Sequence, residues 1–250
     1  MSDSSSAYDL LRTKAAVTSG LSGLVWVTGS DAVSFLDALL SQNIANLAVG
    51  EKARSLLLAP NGKLRATLLV LRGDDRVGLV CDANRVEEVA TDLTRFKIRV
   101  DVEISVEERT LWDVWGPEAP LVLGTLPSPE GWADDEDGLR FANPFRFSAL
   151  SRVVVGGKRP DLPLVDSSDA TVVRIEVGEP VVGVDLDDRT IPQEGVDIAA
   201  TVDFRKGCYL GQELVARIDS RGHVNRRLCG VTVDSLQPPE SGSEIQYQGQ

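Results

Sequence analysis

The segment FRKGCYLGQELVAR (Phe204–Arg217) places a thiol, Cys208, directly after Arg205 and Lys206 and between Gly207 and Gly211. Adjacent cations and a helix starting near Gly211–Gln212 are the surroundings that lower a thiol pKa into the range of about 3.5–7.5 and make it a nucleophile. A small residue buried at a tight turn between two glycines reads equally well from the spacing. From Arg205 to Arg227 the charges are Arg205, Lys206, Arg217, Arg221, Arg226 and Arg227 against Glu213 and Asp219. A basic window of this size suits a small anionic ligand. The chain has one histidine, His223, so any Ser/His or Cys/His relay would have to use it; an exposed loop histidine beside arginines is the plainer reading. Cys208, His223 and Cys229 match no zinc or iron–sulfur spacing, and the surrounding positive charge opposes a cation; no metal site is expected. Cys81 ends an apolar run and reads as core filling. No Walker or G-x-G-x-x-G motif is present.

Composition narrows the partners. The net charge is −12, from 26 Lys+Arg against 38 Asp+Glu, which disfavours direct nucleic-acid or membrane-surface binding because both are polyanions. The chain has no apolar run near the ~20 residues of a membrane span. MSDSSSAYDLLRTKAA lacks the basic start and apolar core of a signal peptide and reads as a flexible leader. A cytoplasmic location is expected, and three widely spaced cysteines argue against a disulfide framework.

The elements that must carry these residues alternate between strand and helix. Gly23–Val27 (GLVWV) reads as a strand, followed by an amphipathic helix with Val33, Leu36, Leu39 and Leu40 inward and Ser30 or Asp31 as its cap. Ser55–Ala59 and Leu64–Leu71 flank PNGK, an Asn-Gly hairpin signal. Val77–Cys81 predicts a strand. Asn84 then caps a helix with Val86, Val89, Leu93 and Phe96 on its apolar face. Arg99–Ile104 alternates as a half-buried strand. Pro127–Gly138 (PSPEGWADDEDG) reads as an exposed acidic loop, and Arg152–Val155 and Val172–Val177 as strands. After Arg227, LCGVTVDSLQPPESGSEIQYQGQ reads as two short strands about a Pro-Pro/Ser-Gly turn. The whole predicts an α+β fold with hairpins.

The ordered run Lys206, Gly207, Cys208, Tyr209, Gly211, Gln212, Glu213 (K-G-C-Y-x-G-Q-E) resembles the signature of the YgfZ family of folate-binding proteins, relatives of the glycine-cleavage T-protein (aminomethyltransferase). The similarity continues through RIEVGEPVVGVDLDDRTIPQE (Arg174–Glu194) and, more weakly, to the N-terminal helix segment and the LLLAPNGKLRATLLV hairpin. It implies two intertwined ferredoxin-like domains around a folate pocket over residues 1–227. It also implies that residues 228–250 begin a C-terminal β-barrel that is truncated here. The implied role is tetrahydrofolate binding in support of iron–sulfur cluster assembly or repair, with iron–sulfur client proteins, tRNA-modifying enzymes among them, as partners. Within that family pattern Glu176, in R-I-E-x-G, would read the pterin edge. Arg205, Lys206 and Arg217 would suit the glutamate tail, and Cys208 would be the reacting group. The alternative is a folate-dependent one-carbon transferase. Against it, the T-protein carboxylate after the hairpin falls here on Ala66 or Thr67, and no acid lies between Gly62 and Leu71.

Overall fold

A computed structural model describes residues 6–124, 131–235, 237, 239–240 and 242–244. Its first two strands enter different sheets. β1 (Ala16–Ser19) and β2 (Ser22–Thr28) are separated by a tight turn at Gly20, whose φ of 78° favours glycine. The chain then completes one sheet from β2, β3 (Lys52–Leu58), β4 (Leu64–Arg72), β5 (Arg76–Asp82) and β6 (Glu103–Val106), in the order β3-β4-β5-β2-β6. Only afterwards does it supply β7 (Leu111–Trp115), β8 (Trp132–Asp135), β9 (Gly138–Ala142) and β10 (Arg152–Gly156), which take up β1 in the order β1-β7-β10-β9-β8. Every strand pair within the two sheets is antiparallel. The helices are α1 (Ala7–Thr13), α2 (Ala32–Leu39), α3 (Val86–Arg95), α4 (Ser167–Glu176), the single turn α5 (Ile198–Thr201) and α6 (Gln212–Arg221). Antiparallel sheets with helices in this arrangement are the expected α+β class.

Burial explains the patterns. Val25, Val27, Val70 and Leu79 face Phe35, Leu36 and Leu39 of α2 and Val89 and Leu93 of α3. Leu24, Trp26, Leu69, Leu71 and Val80 face the other sheet through Leu111, Leu139, Phe141 and Val154. The β2 strand is therefore covered on both faces, which is why it reads as a continuous apolar run. An ion-pair network ties the sheets together at one edge. Glu107 accepts from Trp26 Nε1 (3.0 Å) and Arg109 Nη2 (2.6 Å), Arg109 also reaches Asp134 (2.7 Å), and Arg76 pairs with Asp134 (2.9 Å) over the Trp26 ring.

Several local expectations are corrected. Val172–Val177 lies mostly in α4, because Ala170, Val173 and Val177 share one buried face at helical spacing, and this packing outweighs β-branched propensity. Arg99–Val102 is not strand: Arg99 adopts φ 56° and Asp101 N–H donates to Asp31 Oδ2 (2.8 Å). Asp31 therefore serves that loop and gives α2 no side-chain cap. Asn84 sits in a 3₁₀ turn before α3, and its Nδ2 donates to Val182 O (3.1 Å) instead of capping. The acidic stretch forms the β8–β9 hairpin, with Asp134 held by Arg76 and Arg109 and Asp135 by Arg140; residues 127–130 of that stretch lie outside the described residues. The expected leader is helical from Ala7, capped by Ser6. Beyond Gly222 no described residue is in a helix or strand, and the second expected tail strand falls largely outside the described residues. Among the described residues no helix is long and apolar enough to cross a membrane.

Candidate functional site

The end of β5 meets β7 and β10 beneath the C-terminal end of α4, and the side chains there are polar. Asp113 on β7 is fully buried; its Oδ1 accepts from Ser22 Oγ (2.9 Å) and Arg152 Nε (2.9 Å). Arg146 donates through Nε to Glu179 Oε1 (2.8 Å) and through its backbone N–H to Glu179 Oε2 (2.9 Å). Arg174 Nη1 donates to Asp185 Oδ2 (2.6 Å) and to Glu179 O (2.8 Å). Asp82 Oδ2 accepts from Val182 N–H (3.0 Å), and burial pushes its carboxyl above the usual range.

These groups surround a cavity of about 240 Å³ lined by Asp82, Asn84, Trp115, Phe145, Arg152 and Glu179. Trp115 meets Phe145 edge-on, with ring centroids 4.8 Å apart. Two buried donors, Trp115 Nε1 and Arg146 Nη1, have no protein partner. Buried polar groups are nearly always hydrogen-bonded, so orphaned donors beside a cavity point to a ligand or water acceptor. A larger cavity of about 590 Å³ shares Arg174 and Glu179 with the first. It has an apolar wall of Phe147, Ile175, Val196 and Leu228, with Arg227 and Gln193 also on its lining. A third space of about 30 Å³ brings Thr67 beside Asp82, Arg146 and Arg152.

The signature segment lies elsewhere and is mostly structural. Lys206 is buried against the end of α2. Tyr209 packs with Leu56, Leu58 and Val215, and burial pushes its phenol up to about 12. Gln212 Oε1 accepts the Tyr209 N–H (3.2 Å). Gly211 has φ 76° and lies against the Asn-Gly hairpin, where a Cβ would meet Ala59 O at 2.5 Å. Cys208 and Gly207 are exposed, as are Glu213, Arg205 and Arg217. Arg205 turns back to Asp203 (3.6 Å). None of these residues lines the three cavities. Glu176 also stands apart: its carboxylate accepts from Tyr8 Oη (2.9 Å) with Arg12 3.9 Å away, on the α1 side of α4. The carboxylate that α4's end sends to the cavities is Glu179. The basic window is dispersed; among the described residues only its Arg227 lines one of these cavities, and Arg226 pairs with Glu194 (3.3 Å). Among the described residues no group of three or more His, Cys, Asp or Glu is placed to hold a metal, and Cys208, His223 and Cys229 form no cluster.

Sequence reasoning missed Asp82, Trp115, Arg146, Arg152 and Glu179. They come from separate segments that only the sheet topology brings together, and no spacing signal links them.

Comparison with known proteins agrees with this architecture. The chain is 27% identical over 242 residues to the tRNA-modifying protein YgfZ of Hamiltonella defensa, covering 90% of this chain and 72% of that protein. It is 26% identical over 238 residues to the tRNA-modifying protein YgfZ of Escherichia coli (strain K12 / DH10B), covering 89% and 73%. The glycine cleavage system aminomethyltransferase T of Bartonella henselae superposes with a TM-score of 0.69 at 19% identity, over 86% of this chain and 66% of that one. The GCVT N-terminal domain family matches residues 11–157, the span that holds both sheets. The chain therefore belongs to the GCVT N-terminal domain family, with YgfZ proteins among its relatives.

Proposed function

We propose that the chain binds tetrahydrofolate in the cleft between the sheets and supports assembly or repair of iron–sulfur proteins, as a YgfZ-type protein without aminomethyl transfer. The observation that carries the folate reading is the cavity of about 240 Å³, with its aromatic wall, the orphaned Trp115 N–H and the Asp82 carboxylate. An amino-pyrimidinone edge offers N–H donors to a carboxylate and a carbonyl oxygen to an N–H donor, and this wall supplies both kinds of partner. The residues fit. Asp82 holds the donor edge, Trp115 and Asn84 face acceptors, and Phe145 covers the ring. The aryl-glutamate tail extends into the cavity of about 590 Å³, where Arg227 has no partner among the described residues and meets a tail carboxylate. Arg205, Lys206 and Arg217 are thereby released from that role, and Glu176 gives way to Asp82 as the pterin acceptor. Bound tetrahydrofolate supplies amines that accept a one-carbon unit.

Cys208, exposed and outside the cavities, acts on a protein partner rather than on the bound folate. Iron–sulfur client proteins, including tRNA-modifying enzymes, are the partners this reading assigns, without direct contact to nucleic acid. Calorimetric titration with tetrahydrofolate tests the site: Asp82→Asn weakens binding by about tenfold or more by losing a charge-assisted acceptor, whereas Glu176→Gln binds as the parent does. Equal affinity of Asp82→Asn and parent rejects the assignment.

One observation favours the enzyme reading. Asp82 shares the smallest cavity with Thr67, so a carboxylate is present near the place where the T-protein acid would lie. Formation of methylenetetrahydrofolate from an aminomethyl-lipoyl donor would establish that activity; none is expected, because no acid stands on the hairpin strand itself.

A further inference from the structure

The Lys206 side chain is 1% exposed, and the oxygens around its ammonium come from the last turn of α2, its C-cap Leu40 and the loop residue Gln42. Nζ donates to Asp37 O (2.6 Å), Gln42 O (2.8 Å) and Leu40 O (2.9 Å), and lies 3.2 Å from Asp37 Oδ1. A helix end leaves its last carbonyls without intrahelical partners and carries partial negative charge, so a cation there is favoured twice. The next residues of the signature continue the same work, since Leu210 N–H donates to Ala38 O (3.1 Å). Asp37 Oδ1 also accepts Ile44 N–H (2.7 Å) and Ala45 N–H (3.2 Å), so one carboxylate joins the ammonium to the loop after α2. A buried ammonium is tolerated only when fully hydrogen-bonded. Lys206 meets that condition with its three donors shared among four oxygens.

The consequence falls on Cys208. Two residues before the thiol the chain is fixed by Lys206; one residue after it Tyr209 is buried, and three after it Gly211 is wedged against the hairpin. Between these anchors Gly207 and Cys208 are exposed, and nothing lies within 4 Å of where a Gly207 Cβ would stand. We infer that Lys206 is a positioning residue: by capping α2 it turns the segment into a rigid pedestal that presents the Cys208 thiol to a partner. This rests on the reading of Cys208 as the reacting group, and it removes Lys206 from the ligand.

A nitroxide attached to Cys208 in a Cys229→Ser background tests the pedestal, with Lys206→Met (no donors, similar length) and Lys206→Arg compared with the parent. The label is immobilised in the parent and mobile in Lys206→Met, and the Leu210 and Ile44 amides exchange about tenfold or more faster there. Lys206→Arg restores order in part, and tetrahydrofolate affinity is the same in all three. Unchanged label mobility and exchange in Lys206→Met overturn the inference, as does weaker folate binding without any change in order. Should Lys206→Met not fold, exchange in the parent decides: Leu210 and Ile44 must exchange together and more slowly than Arg205 and Gly207, and unrelated rates refute a common clamp. Full support of client maturation by Cys208→Ala, alongside a mobile label in Lys206→Met, would remove the role of Cys208 and leave the positioning intact.

Discussion

Two glycines of one signature carry opposite expectations. At Gly211 an alanine must hold φ near 76°, a left-handed conformation that costs a non-glycine residue about 1–2 kcal/mol. Its Cβ would also stand 2.5 Å from Ala59 O, 2.9 Å from Leu58 Cβ and 3.1 Å from Gly62 Cα. Two of these are backbone atoms of the hairpin, so the strain is relieved only by shifting the start of α6 or the hairpin, an overpacking cost of about 1–3 kcal/mol. Gly211→Ala is therefore expected to lose roughly 2–5 kcal/mol. For Gly207→Ala the surroundings are open and φ lies outside the left-handed region, so the change stays within about 0.5 kcal/mol. Urea unfolding of the two variants beside the parent, followed by fluorescence, reads the difference directly. Equal midpoints for Gly211→Ala and Gly207→Ala would refute the claim that the signature is chiefly a packing device.

Other outcomes follow from the polar groups. Asp82 has its carboxyl raised by burial, so its ionised form costs stability; Asp82→Asn should unfold at higher urea than the parent at pH 7, with the gap closing as pH falls through the raised folded value and gone below about 4. Glu107 behaves oppositely. Burial pushes its carboxyl up, but hydrogen bonds from Arg109 and Trp26 outweigh this and hold it at about 2. Its stabilisation is present above the ordinary value of about 4.3 and is lost as pH falls through 2, so Glu107→Gln should be less stable at pH 7 and indistinguishable near pH 2. Burial pushes the Cys81 thiol up to about 12; in a Cys229→Ser background, alkylation should stop at one thiol, Cys208, until denaturant is added.

The core of the fold was legible because its signals are local. The Asn-Gly hairpin, the strand Gly23–Val27 and the helix following Asn84 are all written in short-range pattern. Where the reading slipped, a distant partner had decided the outcome. Val172–Val177 looks like strand until Ala170 and Val173 are seen packed with Leu11 and Trp115. The acidic run looks like a solvated loop until arginines from β5 and β9 and from the β6–β7 connection are seen to neutralise it. At the site, type and spacing singled out Lys206 as a cation for a ligand, but only the fold shows its ammonium already bound by the end of α2. Glu176 and Glu179 are three residues apart in sequence, yet one faces α1 and the other the cavities.

The crossing of the chain at Gly20 bears on how the molecule is assembled during synthesis. Once Ser19 has been added, the ribosome has already delivered one strand of the sheet that is completed last. That strand must wait for β7, which arrives only after the whole β2–β6 sheet has been made. Long-range pairing of this kind is slow and leaves edges open meanwhile. No single cut of the chain separates the two sheets, so limited proteolysis should yield fragments that remain associated. The β2–β6 sheet is one continuous insertion between β1 and β7, so the other sheet cannot be taken as an uninterrupted segment without carrying its neighbour along.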